Sequence, residues 1–189
     1  MNAKSRPVLA LLAQYDACDP AEADDVRRVR ALARSTDDPW LRSLPLHVTA
    51  SALIVHPDSG RVLLRRHARQ RSWLHVGGHG DPGETEPLTV ALREGLEETG
   101  LTDLAPWPDH SPVHVAIVPV PAKGEEPAHE HADLRFVLST ADPGAARPEN
   151  PAAPLRWLSP AGARELASEA NVRELLTRAE RLLTTPPRA

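Results

Sequence analysis

Residues 77–101 read GGHGDPGETEPLTVALREGLEETGL, a glycine-rich segment running directly into an amphipathic helix whose last turns bear Glu94, Glu97 and Glu98. The i, i+3, i+4 spacing places all three carboxylates on one side of the helix. Like charges at that separation destabilise an isolated helix by a few tenths of a kcal/mol per pair, so stacking them implies a nearby cation. Hard carboxylate oxygens suit a magnesium-type ion. At about 100° per residue, Leu88, Ala91, Leu92, Gly95, Leu96 and Thr99 form a face that packs, and the glutamates occupy the adjoining third of the circumference. Gly95 on the packed face costs about 1 kcal/mol relative to alanine, which implies a close approach of helix to sheet. Gly100 stops the helix as its C′ residue.

The rest of the chain supplies a sheet for that helix. Leu46 to Val55 and Arg61 to Arg66 are rich in β-branched and apolar residues and flank the turn cluster HPDSG, so they predict a hairpin. Trp73 to Val76 predicts a short strand feeding a glycine loop. Val113 to Val118, Leu134 to Ser139 and Leu155 to Leu158 predict further strands, with polar loops at 119–133 and 141–154. Pro160 to Ala167 and Asn171 to Leu183 predict closing helices, and the TTPPRA end is expected to fray. Upstream, Val8 to Tyr15 and Pro20 to Ala33 predict helices, the second capped by Asp19 with Pro20 at its first position. Strands around a central helix, with helices closing the chain, predict an α/β fold: a mixed sheet between helical layers. Residues 1–44 form an N-terminal helical extension and 45–189 the domain proper; the extension either packs on that domain or supplies a homodimer surface.

The motif itself resembles the signature of the Nudix hydrolases: a glycine, five residues and Glu, a spacer, then Arg-Glu, an aliphatic, any residue, Glu-Glu, any residue, Gly and an aliphatic. Gly78, Glu84, Arg93, Glu94, Glu97, Glu98, Gly100 and Leu101 fill those positions. Two departures stand out. Eight residues separate Glu84 from Arg93 where the usual spacer has seven, and Gly95 replaces the expected aliphatic. The extra residue falls near Glu86 and Pro87, at the helix entry, so geometry is expected to differ there, not between Arg93 and Leu101.

The resemblance implies an α/β/α sandwich and a hydrolase in which water attacks phosphorus in a diphosphate linking a nucleoside to another moiety. A diphosphate repels an anionic nucleophile unless divalent cations neutralise it, which gives Mg²⁺ or Mn²⁺ a role. Carried over to matching positions, Glu94 and Glu98 are metal ligands, Glu97 is a third ligand or holds metal-bound water, and the Gly78 carbonyl completes a site. Arg93 and Glu84 form an ion pair that orients the glutamates. The general base is Glu94 from within the motif or, from distant loops, Glu130 or Glu149. A nucleotide-binding module without catalysis is the alternative, which three intact glutamates oppose. An isoprenoid diphosphate isomerase would call for a catalytic cysteine in the pocket, and Cys18 lies in the extension.

Other residues are weaker candidates. His79 in the glycine segment is placed to touch phosphate, and Arg65, Arg66, His67 and Arg69 could form a basic wall. Trp73 could line the pocket, whereas Trp157 reads as core. His129 and His131 read as exposed loop residues, with imidazole metal ligation the less favoured option. The single cysteine excludes an intrachain disulfide, fits a reducing compartment and reads as a small, partly buried side chain. A formal charge of −4 with dispersed basic residues argues against a nucleic acid polymer as partner. Val8 to Ala13 is too short for a secretory h-region, and no run of eighteen apolar residues exists, so a cytoplasmic protein without membrane attachment is expected.

Overall fold

The computed structural model describes residues 3–67 and 72–185. Arg69 of the expected basic wall, and the last four residues of the TTPPRA end, lie outside the described residues. In chain order the elements are α1 (Arg6–Ala13), α2 (Pro20–Ser35), β1 (Leu46–His56), β2 (Arg61–His67), β3 (Ser72–Leu74), β4 (Val76–His79) and α3 (Pro87–Thr99). They continue with β5 (Ala105–Pro106), β6 (His114–Val120), β7 (His129–Ser139), β8 (Leu155–Leu158), α4 (Pro160–Leu166) and α5 (Ala170–Thr184).

One mixed sheet of eight strands organises these elements. Its centre is β1, which pairs in parallel with β7 and antiparallel with β2 and β4. A strand covered on both faces needs apolar residues throughout, and β1 is buried from His47 to Val55. Alternation sorts its side chains between two cores. Val48, Ala50, Ala52 and Ile54 join α1, α2 and α3 on one face, while Leu53 and Val55 join α4 and α5 on the other. The expected α/β/α sandwich is therefore present. No helix among the described residues is long and apolar enough to cross a membrane.

The extension packs on the sheet. Asp19 caps α2 as expected, accepting from the N–H groups of Ala21 at 2.8 Å and Glu22 at 2.9 Å. Side chains of α2 then replace a missing neighbour strand at the edge of β6, because Glu22 accepts from Val115 N–H at 3.1 Å and Asp25 from Ile117 N–H at 2.9 Å. Cys18, expected to be partly buried, is exposed just before this helix.

Three expectations need correction. The glycine segment is not a loop: Gly77, Gly78 and His79 belong to β4 and pair with Ser51, Ala50 and Thr49 of β1. Gly77 has φ +146°, and a Cβ there would sit 2.5 Å from the Ser51 Cα, so glycine lets the two backbones meet. His129 to Asp133 is likewise not loop, because β7 starts at His129 and runs beside the whole of β1. On α3 the buried positions are Pro87, Val90, Ala91, Gly95, Glu98 and Thr99, while Leu96 is 44% exposed. The helix is rotated so that Glu98, not Leu96, faces inward. The close neighbour of Gly95 is Leu104, just before β5, whose Cδ1 would lie 2.8 Å from a Cβ there; the sheet residues Leu138 and Ile54 stand at 3.5 and 3.8 Å, an ordinary contact.

Candidate active site

The sites of interest sit where β4 meets α3. Gly77 and Gly78 have no side chains; the Glu94 carboxylate takes the place of one at Gly78, and Glu98 reaches the Gly77 N–H. A Cβ on Gly78 would lie 2.6 Å from Glu94 Oε1. Glu98 accepts the Gly77 N–H through Oε2 at 3.3 Å, and its Oε1 is 2.7 Å from Arg65 Nη1. Gly100, left-handed at φ +68°, closes the helix by donating to Leu96 O at 2.7 Å, as the sequence predicts.

Arg93 gathers the motif. Its Nε lies 3.1 and 3.2 Å from the two Glu84 oxygens and its Nη2 3.0 Å from Oε2, a forked pairing. Nη1 reaches Glu94 Oε1 at 3.0 Å and Glu97 Oε2 at 2.9 Å, and Nη2 also donates to the His79 carbonyl at 2.8 Å. Glu84 accepts from the Asp81 N–H at 2.8 Å as well. The eight-residue spacer leaves this pairing intact, because α3 starts only at Pro87 and the extra residue is taken up in the turn before it. Hydrogen bonds from Arg93 hold the Glu84 carboxyl below its ordinary range.

The remaining carboxyls differ in environment. Burial raises Glu94, against the opposing pull of Arg93, and pushes Glu98 up to about 7 in spite of Arg65. Glu97 is half exposed. Buried Glu98 and half-buried Glu94, both raised in spite of neighbouring arginines, form a site short of positive charge. Hard oxygen donors over a glycine cradle that a methyl group would fill match the needs of Mg²⁺ or Mn²⁺. The two glycines make a matched test. Gly77→Ala meets backbone and should destabilise the fold by about 3 kcal/mol or more. Gly78→Ala meets only the movable end of Glu94, so urea unfolding should show a far smaller loss while the Glu94 carboxylate is displaced and turnover falls.

The other candidates spread out. Glu149 donates its backbone N–H to Glu98 O at 3.3 Å, and its carboxylate is 3.9 Å from Arg65 Nη2, so the 141–154 loop brings it to the rim of this site. Glu130 pairs with Arg28 of α2 at 2.5 Å. Trp73 lies under the Arg156 guanidinium, 5.4 Å from ring centroid to Cζ, and packs with the core beneath α4 and α5. Trp157, read as core, packs against the α3-side core and donates its indole N–H to Pro143 O at 3.0 Å. The groove lined by Arg6, Leu11, Gln14, Tyr15 and Glu86 lies along α1, and none of the three motif glutamates lines it.

The sheet face opposite α3 carries a polar group in which His79, His129 and His131, weighed singly from the sequence, are joined by His47, Thr49 and Ser51, which were read only as strand residues. Asp133, 7% exposed, accepts from Thr49 Oγ1 at 3.1 Å, Ser51 Oγ at 2.9 Å and Arg135 Nε at 2.8 Å. Arg135, with His75 Nε2 3.6 Å away, keeps it ionised despite burial. Continuing along that face, His47 joins His79, His129 and His131. Burial lowers His47, and pushes His79 to about 3 and His131 to about 4. His79 thus sits in a histidine group rather than standing alone, and His129 and His131 are half buried. The signal for this face was the alternation His47, Thr49, Ser51 in an otherwise apolar strand.

A family model described as NUDIX domain matches residues 45–179. No curated protein matches the chain in sequence. Among solved structures, a hydrolase of the NUDIX family from Clostridium perfringens superposes with TM-score 0.57 at 23% identity, over 72% of this chain and 97% of that one. An Ap4A hydrolase binary complex from C. elegans gives 0.58 at 22%, covering 72% and 96%. The E. coli dihydroneopterin triphosphate pyrophosphohydrolase gives 0.55 at 18%, covering 71% and 94%. At these identities the structural likeness concerns the fold.

Proposed function

The chain belongs to the Nudix family, and on that premise we propose that it hydrolyses a diphosphate linkage in a nucleoside diphosphate joined to another moiety, with Mg²⁺ or Mn²⁺ as cofactor. The observation that supports this most is the pair of carboxylates at the glycine strand, half-buried Glu94 over Gly78 and buried Glu98 on the Gly77 N–H. In this proposal Glu94, Glu98 and the Gly78 carbonyl hold the cation, and Glu97 holds a further ligand position or a metal-bound water. When bound, such an ion neutralises diphosphate charge and acidifies the attacking water.

The chain's own residues prepare that chemistry. Arg93 fixes the rotamers of Glu84, Glu94 and Glu97 at once and ties them to the β4 backbone through the His79 carbonyl. Glu84 balances the Arg93 charge, which leaves Glu94 and Glu98 with less cationic compensation than their burial demands. For the proton of the attacking water we assign Glu94 within the motif and Glu149 as the loop candidate, because Glu149 flanks Arg65 and Glu98. Glu130 is held by Arg28 and drops behind them. Arg65, once drawn from Glu98, is a donor for a phosphate oxygen.

Two of the fold neighbours are named for Ap4A and for dihydroneopterin triphosphate. A panel of nucleoside triphosphates, sugar nucleotides, dinucleoside polyphosphates and a pterin triphosphate, assayed with and without Mg²⁺, tests the proposal. Mg²⁺-dependent release of phosphate, diphosphate or a mononucleotide from at least one class is expected. Tight nucleotide binding with no cleavage across the panel would instead make this a binding module.

A further inference from the structure

The histidines of the opposite sheet face form a second site. In the parallel β1–β7 pair His47 lies opposite His131, and in the antiparallel β1–β4 pair Thr49 lies opposite His79. Period-two alternation then projects His47, His79, His129 and His131 from one face. Their ring centroids approach to between 4.8 and 5.2 Å, and one nitrogen from each of His47, His79 and His131 lies within 4.8 Å of the others. His47 Nε2 is 3.1 Å from His79 Nε2, and His129 Nε2 is 3.2 Å from His131 Nε2.

The hydrogen bonds behind the rings define which nitrogens are bare. His47 Nδ1 lies 3.0 Å from Leu44 O, and His129 Nδ1 lies 2.9 Å from Pro127 O. A carbonyl oxygen only accepts, so both Nδ1 atoms bear the hydrogen and both Nε2 atoms turn a lone pair toward the other rings. A carbonyl that fixes the outer nitrogen of an imidazole is the arrangement that supports a histidine metal ligand. Carboxylates have only a peripheral place here: Glu126 approaches His129 at 3.8 Å. A cluster of imidazoles selects a first-row transition ion over Mg²⁺.

We propose that His47, His79 and His131, with His129 beside them, bind one divalent transition ion of the zinc type, at a site separate from the carboxylates of α3. The two sites touch at His79, whose carbonyl accepts from Arg93 while its imidazole faces the cluster. Without an ion, the alternative is a set of neutral histidines hydrogen-bonded to one another.

Chelator-treated protein titrated with Zn²⁺ by calorimetry, in buffer containing millimolar Mg²⁺, decides between them. One Zn²⁺ per chain is expected, with a thermal midpoint raised by roughly 5–10 °C at zinc a hundredfold above its Kd. His47→Ala and His131→Ala should each weaken binding by on the order of 100-fold, and His110→Ala and Glu98→Gln should leave it unchanged. Should the alanine variants fold poorly, Co²⁺ added to the parent protein supplies the same test through a visible ligand-field band that Zn²⁺, not Mg²⁺, removes. Zinc binding absent from the parent, displaced by Mg²⁺, or lost in Glu98→Gln but kept in His131→Ala overturns the proposal. None of these readouts depends on hydrolysis, so the site and the proposed activity can fail independently.

Discussion

Replacing Glu98 by glutamine is expected to lower Mg²⁺-dependent diphosphate hydrolysis by about 10²–10³-fold, the scale for losing one preorganised charge at a reaction centre, with the protein still folded. Glu98 is the most enclosed of the three motif glutamates: its side chain is 11% exposed, between the Gly77 N–H and Arg65. Glutamine keeps the size and a carbonyl oxygen for the Gly77 N–H, while the charge and the second acceptor oxygen, the one that faces Arg65, are replaced by an amide NH2. Arg65 retains Glu149 nearby, so the thermal midpoint should move by no more than a few degrees. Glu97, half exposed and turned to Arg93, provides the internal comparison, and Glu97→Gln should cost less. Steady-state turnover at saturating Mg²⁺, set beside thermal unfolding of each variant, measures both effects. A Glu98→Gln enzyme that cleaves at the parental rate removes Glu98 from the proposed cation site.

Much of this site could be read from local sequence because its parts interact over short separations. Arg93 reaches Glu94 and Glu97 within one helical turn, and Gly100 stops the helix by its own backbone geometry. Glu84 and Arg93 still meet despite the longer spacer, since an irregular turn absorbs one residue without disturbing the helix. The rotation of α3 was not legible. A hydrophobic periodicity places Leu96 inward, but the surface beneath the helix at that end is bare glycine backbone, which accepts the carboxyl of Glu98 instead. Non-local pairing explains the other misses. Alignment of β4 and β7 on β1, and of β6 on β7, makes Gly77 and His129 strand residues and brings His47 to His79 and His131. His47 is separated from His131 by most of the domain, and no spacing rule links them.

The contact between the two ends of the chain was equally hidden, and it supports the second large prediction: Arg178→Met should destabilise the protein by about 3–5 kcal/mol, lowering the thermal midpoint by roughly 6–20 °C. Arg178 of α5 and Glu22 of α2 are 6% and 3% exposed and meet at 2.7 Å. Arg178 also donates to Val113 O at 2.9 Å and Glu174 at 2.8 Å, while Glu22 accepts from the N–H groups of Cys18 and Val115 and from the Tyr15 hydroxyl. Burial alone would raise the Glu22 pKa, but Arg178, Tyr15 and the two backbone donors together bring it down to about 2. A carboxyl whose folded pKa is depressed adds stability that is present above its unfolded value near 4.5 and is lost as pH falls through about 2. The difference corresponds to about 3 kcal/mol at neutral pH. In Arg178→Met that support is gone and burial dominates, so the gap between variant and parent should be widest near pH 7 and shrink between about pH 5 and pH 2. Adding Glu22→Gln to Arg178→Met should recover a large part of the loss, because the buried charge is then removed together with its partner. Urea unfolding across that pH range measures all three proteins. A pH-independent gap, or a single variant within 1 kcal/mol of the parent at pH 7, would mean that the Glu22–Arg178 pair does not hold α2 in place.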